Sequence, residues 1–138
     1  MAVNGKARGA AGAGSSGGLE GAWVPVAASV SGKELVVAEL RVKYLVLHGH
    51  DYSIVDRTNR IVDRGEYLVN DRATPRTIDI VGRDGPNAGR SMLAIFELKG
   101  NQLTVCYDLD GNRRPDDMHA PDQLLLNITY ERAGGVLS

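Results

Sequence analysis

A chain of 138 residues with 16 basic and 17 acidic side chains, and so a formal charge of -1, has the size of one domain with a single buried core. The even balance leaves no electrostatic footprint for nucleic acid or an anionic membrane surface, and no apolar run of about 18 residues is present to span a bilayer. One cysteine, Cys106, excludes an internal disulfide and fits a reducing, cytoplasmic setting.

Residues 1–18 are mostly Gly, Ala and Ser with two basic side chains, and they lack the apolar core of a signal peptide. Such a composition buries too little surface to offset its ordering entropy, so a flexible tail is expected there and another at residues 134–138. The domain itself is expected over residues 19–133. From Gly21 on, leucines and β-branched residues come in eight short runs, near residues 22–31, 42–48, 52–57, 61–69, 77–81, 91–98, 102–108 and 123–132. Turn formers separate them: Thr58-Asn59, Asp84-Gly85-Pro86-Asn87, Lys99-Gly100-Asn101 and Asp110-Gly111.

One segment departs from the strand period. Residues 33–40 place Leu35, Val36, Ala38, Glu39 and Leu40 at a spacing that predicts a short helix after the first strand, fit to lid one end of a barrel.

Trp23 opens the first run and Arg132 closes the last. In a closed barrel the first and last strands are neighbours, so the guanidinium stacks on the indole and plugs one end, a contact of about 0.5 to 2 kcal/mol. The expected fold is therefore all-β, an eight-stranded antiparallel barrel, with a β-sandwich as the rival arrangement.

The chain resembles the lipocalin-like domain family first noted in planctomycetes, a calycin-type barrel, from Leu19 to Arg132. The likeness rests on Leu19-x-Gly21-x-Trp23, Gly32-Lys33-Glu34-Leu35, Thr74-Pro75-x-x-Ile78-Asp79 and Gly89-Arg90-Ser91-x-Leu93-x-Ile95-Phe96-Glu97-Leu98. Leu103-x-Val105-Cys106-Tyr107 and Arg114-Pro115 extend it. Asn70, Ala94, Phe96 and Met118 stand where the family tends to have Asp, Gly, Tyr and Phe. The resemblance implies an eight-stranded barrel and supplies no catalytic residues.

Function must come from side chains. Tyr44, Tyr52, Tyr67 and Tyr107 lie on four expected strands, and those facing inward would offer hydroxyls within an apolar ligand pocket. Glu97, Asp79 and Arg64 interrupt apolar runs and are most simply solvent-facing, with a buried site as the alternative. Arg114, in the run Arg113-Arg114-Pro115-Asp116-Asp117, sits in the longest irregular connection, which either pairs its own charges or grips a ligand at the rim. Tyr44, Tyr52, Tyr67, Tyr107, Glu97 and Arg114 are thus the candidate ligand-binding residues, with Trp23 and Arg132 structural.

No metal site is expected: His48, Gly49, His50 and Asp51 read best as a hairpin turn, and Asp108-Leu109-Asp110-Gly111-Asn112 lacks the glycine position and closing Glu of a calcium loop. Cys106 has no basic sequence neighbour to activate it and is expected to be packed in the interior. Phosphate loops, nucleophile elbows and dinucleotide fingerprints are absent, so no cofactor is expected. These features suggest a container for a small hydrophobic or amphipathic molecule. The alternatives are a cofactor-independent cyclase or isomerase that shapes its substrate by confinement, and a filled structural or protein-interaction barrel.

Overall fold

A computed structural model of the chain describes residues 18–110, 113–119 and 123–133; apart from Gly18, both expected tails lie outside them, as do Gly111 and Asn112 of the Asp110-Gly111 turn. The strands among the described residues are β1 (Gly21–Val30), β2 (Lys33–Leu35), β3 (Tyr44–His48), β4 (Asp51–Val55), β5 (Ile61–Asn70), β6 (Arg76–Asp84), β7 (Ser91–Lys99), β8 (Gln102–Asp108) and β9 (Leu125–Arg132). From β3 onward each strand pairs antiparallel with the next, and β9 returns to pair with β1, which itself meets β3. The result is a closed eight-stranded barrel, with β2 an extra strand hydrogen-bonded to the end of β1. No helix among the described residues is long and apolar enough to cross a membrane.

The expected helix at residues 33–40 is corrected by the structure. Ser31 and Gly32 both adopt positive φ, 48° and 86°, the backbone of a type I′ hairpin turn, so the chain doubles back and Lys33, Glu34 and Leu35 pair with Val30, Ser29 and Ala28. Only a single 3-10 turn follows, at Val37–Leu40, ended by Arg41 in the left-handed region at φ 58°. Two β-branched residues, Val36 and Val37, and a Ser-Gly turn outweigh the helical spacing of the leucines.

Strand alternation decides which residues face inward. Along β5, Asp63, Gly65 and Tyr67 are buried, while Arg64, Glu66 and Leu68 between them are exposed. A bulge at Thr129/Tyr130 leaves Val26 opposite no partner on β9. Next to it Pro25, which has no N–H to give a ladder, lies in the stretch of β1 that pairs with neither β2 nor β3.

The two ends of the barrel differ. At one end Leu19, Trp23, Tyr67, Phe96, Leu103 and Val105 are almost wholly buried and fill the interior. Arg132 stacks 4.2 Å from the Trp23 ring centre, as expected from sequence, and Arg76 stacks 4.8 Å from that of Phe96. Arg132 also donates to the carbonyls of Glu20 (2.7 Å) and Gly18 (3.1 Å), while Trp23 Nε1 donates to that of Leu19 (2.8 Å). The chain entering β1 is thereby tied across the end of the barrel to the chain leaving β9. At the other end the interior is hollow.

Outside the wall, a second small core forms where Ile95, Cys106 and Leu125 point away from the barrel and are covered by Met118. Arg114 anchors the covering segment by donating to the Ala94 carbonyl (2.9 Å) and meeting Asp79 Oδ1 at 2.7 Å, the latter as an ion pair rather than an aligned hydrogen bond.

Candidate functional site: a cavity in the open half of the barrel

The hollow half encloses about 520 Å³, within the range that accommodates a small organic molecule. Leu45, Ile54, Ile80, Met92, Leu126 and Ile128 make its wall predominantly apolar. Leu40, which ends the 3-10 turn, and Arg41 and Val42 after it lie at the mouth with Asp56 of the β4–β5 turn and Pro86 of the β6–β7 loop. Asp56 holds its own turn together, Oδ1 accepting from Thr58 N (2.8 Å), Thr58 Oγ1 (2.6 Å) and Arg60 N (3.1 Å). The Thr58 hydroxyl, and then the Arg60 amide, hold the Asp56 carboxyl below the ordinary carboxylate range.

Two polar groupings interrupt the apolar wall. In the first, Asp63 of β5 accepts from the Tyr52 hydroxyl of β4 at 3.2 Å through Oδ1 and from Asn87 Nδ2 at 2.7 Å through Oδ2. Asp63 is 7% exposed, and no basic side chain among the described residues forms an ion pair with it. Asn87 reaches Asp63 because the β6–β7 loop lies directly on β5 at Gly85. A Cβ there would stand 2.4 Å from the Val62 carbonyl and 2.8 Å from Asp63 Cα, and φ is +100°. In the second grouping the hydroxyls of Tyr107 (β8) and Tyr130 (β9) are hydrogen-bonded at 3.1 Å.

Burial raises all three cavity tyrosines. Desolvation, reinforced by the Asp63 charge and its hydrogen bond, holds Tyr52 well above the usual phenol range. Desolvation pushes Tyr107 up to about 12, the bond from Tyr130 opposing it in part, and lifts Tyr130 well above its ordinary value. These phenols are neutral hydrogen-bonding groups at physiological pH. The Asp63 carboxylate is the one acidic group held within the wall rather than at its mouth.

Of the tyrosines expected at a pocket, Tyr52 and Tyr107 line the cavity. Tyr67 faces inward but belongs to the filled half, where its hydroxyl is buried with no hydrogen-bond partner among the described residues. Tyr44 lies on the outer face of β3 under Lys43, whose Nζ is 5.4 Å from the ring centre. Glu97 is exposed and meets Lys99 at 3.4 Å. Arg114 grips Asp79 outside the barrel wall, so neither it nor Glu97 reaches the cavity. Arg64 is solvent-facing and paired with Asp84 at 2.7 Å.

His48 and His50 are exposed around the β3–β4 turn, and among the described residues no three metal-binding side chains converge. Cys106 is buried, between the wall and the covering segment rather than inside the barrel, and burial followed by the charges of Asp117 and Asp108 pushes its thiol up to about 11.

Sequence reasoning missed Asp63, Asn87 and Tyr130. The available signal was the alternation Asp63-x-Gly65-x-Tyr67-x-Val69, which puts the carboxylate on the same face of β5 as an inward tyrosine.

None of the family models, curated proteins or solved structures compared with this chain matches it.

Proposed function

We propose that this barrel is a lipocalin-like container that takes one small, mostly apolar or amphipathic molecule through its open end. The observation that carries this reading is the 520 Å³ apolar cavity with convergent polar groups from β4, β5, β8 and β9. Protein interiors are ordinarily filled to close packing, and in this barrel only the Trp23 end is. The filled-barrel alternative describes the Trp23 end alone.

The test is titration with an uncharged apolar fluorophore, N-phenyl-1-naphthylamine. Saturable enhancement is expected in the natural protein and is lost in Leu126→Trp, which fills the cavity. No saturable binding by the natural protein would overturn the container reading.

A second reading, a cofactor-independent isomerase, is favoured by one observation: a carboxylate and a tyrosine pair share one apolar cavity. There Asp63 would accept a proton from carbon, and a Tyr107 or Tyr130 hydroxyl would donate to the oxyanion that develops. Confinement of the substrate would contribute the rest. This activity predicts that a bound ketone exchanges its α-hydrogens with deuterated solvent faster than in buffer, and that Asp63→Asn abolishes the excess.

A further inference from the structure

We infer that the cavity selects ligands that carry one positive charge, an amphipathic ammonium whose head meets Asp63 while its apolar body lies against the Leu45, Ile80 and Ile128 wall. This inference rests on the container reading and names the chemistry of what is contained.

The argument begins with charge inside the cavity. A carboxylate offers about four acceptor positions, and those of Asp63 receive two neutral donors, Tyr52 Oη and Asn87 Nδ2. Two neutral hydrogen bonds orient an anion without balancing its charge. Buried acidic side chains ordinarily sit beside a cation, and among the described residues Asp63 has none. The missing partner belongs to what fills the cavity. Tyr52 and Asn87, approaching from β4 and from the β6–β7 loop, hold the carboxylate fixed, so an incoming N–H finds a preorganised acceptor.

The rest of the lining agrees. The charged groups that line the cavity are Asp63 on the wall and Asp56 and Arg41 at the mouth, so acidic groups outnumber basic ones. A fatty acid would have to place its carboxylate either beside Asp63 or at the mouth, where Asp56 offsets Arg41. An ammonium gains from Asp63 and leaves Arg41 in solvent. An alcohol gains only a neutral hydrogen bond.

The experiment is displacement of N-phenyl-1-naphthylamine at pH 7 by n-octylamine, n-octanol and n-octanoate, each below its micelle concentration. Octylamine is expected to displace the probe at least tenfold more tightly than octanol, with octanoate weakest. The preference is expected to vanish in Asp63→Asn and to persist in Asp56→Asn. Equal affinities, or octanoate tightest, overturn the inference while the container reading stands. An ammonium preference that survives Asp63→Asn, or disappears in Asp56→Asn, also overturns it by moving the recognition to the mouth. Failure of the probe and all three competitors to bind overturns the container and the inference with it. Should Asp63→Asn not fold, the ranking in the natural protein and in Asp56→Asn decides alone.

Discussion

The Cβ that Gly21 lacks would lie 3.0 Å from Arg132 Nη1, so the first residue of β1 leaves room for the guanidinium that ends β9. The backbone there has φ +132°, a conformation side chains rarely adopt. One glycine thus serves both the turn into the strand and the cation that stacks on Trp23 two residues later. Gly21→Ala is expected to cost about 1 to 3 kcal/mol through backbone strain and displacement of Arg132. Arg132→Ala, losing the stacking and the bonds to Glu20 and Gly18, is expected to cost about 2 kcal/mol. Because both disrupt one arrangement, the double variant should be less destabilised than the sum, which denaturant melts of the four proteins would measure.

Tyr67 supplies a gain rather than a loss. Its hydroxyl is buried without a hydrogen-bond partner among the described residues, and an unsatisfied group of this kind costs about 1 to 3 kcal/mol. Tyr67→Phe keeps the ring and removes the orphan oxygen. Thermal unfolding of this variant should occur at the same temperature as in the natural protein or several degrees above it.

High pH should unfold the barrel through its phenols and its thiol. Folded values raised above the unfolded ones mean that the native state holds protons more tightly, so the stability they contribute is complete below the unfolded value and is lost as pH rises. For Cys106 the window runs from about 9 to about 11, and for Tyr107 from about 10 to about 12. Tyr52, Tyr67 and Tyr130 are shifted in the same direction. The urea midpoint should therefore fall steadily above pH 9. Tyrosinate absorbance from these four residues should appear together with loss of the near-ultraviolet dichroism, not ahead of it.

The segment over Cys106 can be loosened selectively. A thiol raised to about 11 and wholly buried reacts slowly with a disulfide reagent at pH 8. Arg114→Ala removes the donor to Ala94 and the ion pair with Asp79, which is about one-third exposed and so contributes modestly. Thiol modification should speed up by roughly tenfold as the segment lifts, while the cavity, on the opposite side of the wall, keeps its affinity for an apolar probe.

How much of this was legible beforehand follows from where the information lies. Trp23 and Arg132 sit at the ends of the strand pattern, so closure of the barrel could be read from their positions, and the structure pairs them in register. Tyr52 and Tyr107 were readable as inward residues because strands alternate. Tyr44 was not excluded, because the face it occupies depends on which neighbours are buried: Leu45 and Leu47 take the inside, leaving Tyr44 out. Arg114 reads as a rim charge, yet its partner Asp79 lies on the outer surface of another strand, and Glu97, solvent-facing as its place in an apolar run most simply suggests, meets Lys99 there. Asp63 was hidden in a run of charges and glycine whose burial depends on Asn87, 24 residues on, folding back over it. Residues 33–40 mislead for the opposite reason: the spacing of their leucines predicts a helix, while Ser31-Gly32 forms a two-residue hairpin turn and the β-branched pair Val36-Val37 argues against one.

Strand β1 meets β3 only at Gly21, Ala22 and Trp23, whereas its ladder with β9 continues from Trp23 to Val30. The cylinder is therefore zipped unevenly: on that edge β1 pairs with β3 at residues 21–23 and with β2 at residues 28–30, and residues 24–27 between them have no ladder partner there. Of Gly21, Ala22 and Trp23, Trp23 is the one position laced on both sides, to Arg132 of β9 and to Leu45 of β3, so the end of the cylinder that the indole plugs is also the end where its wall is most completely sewn.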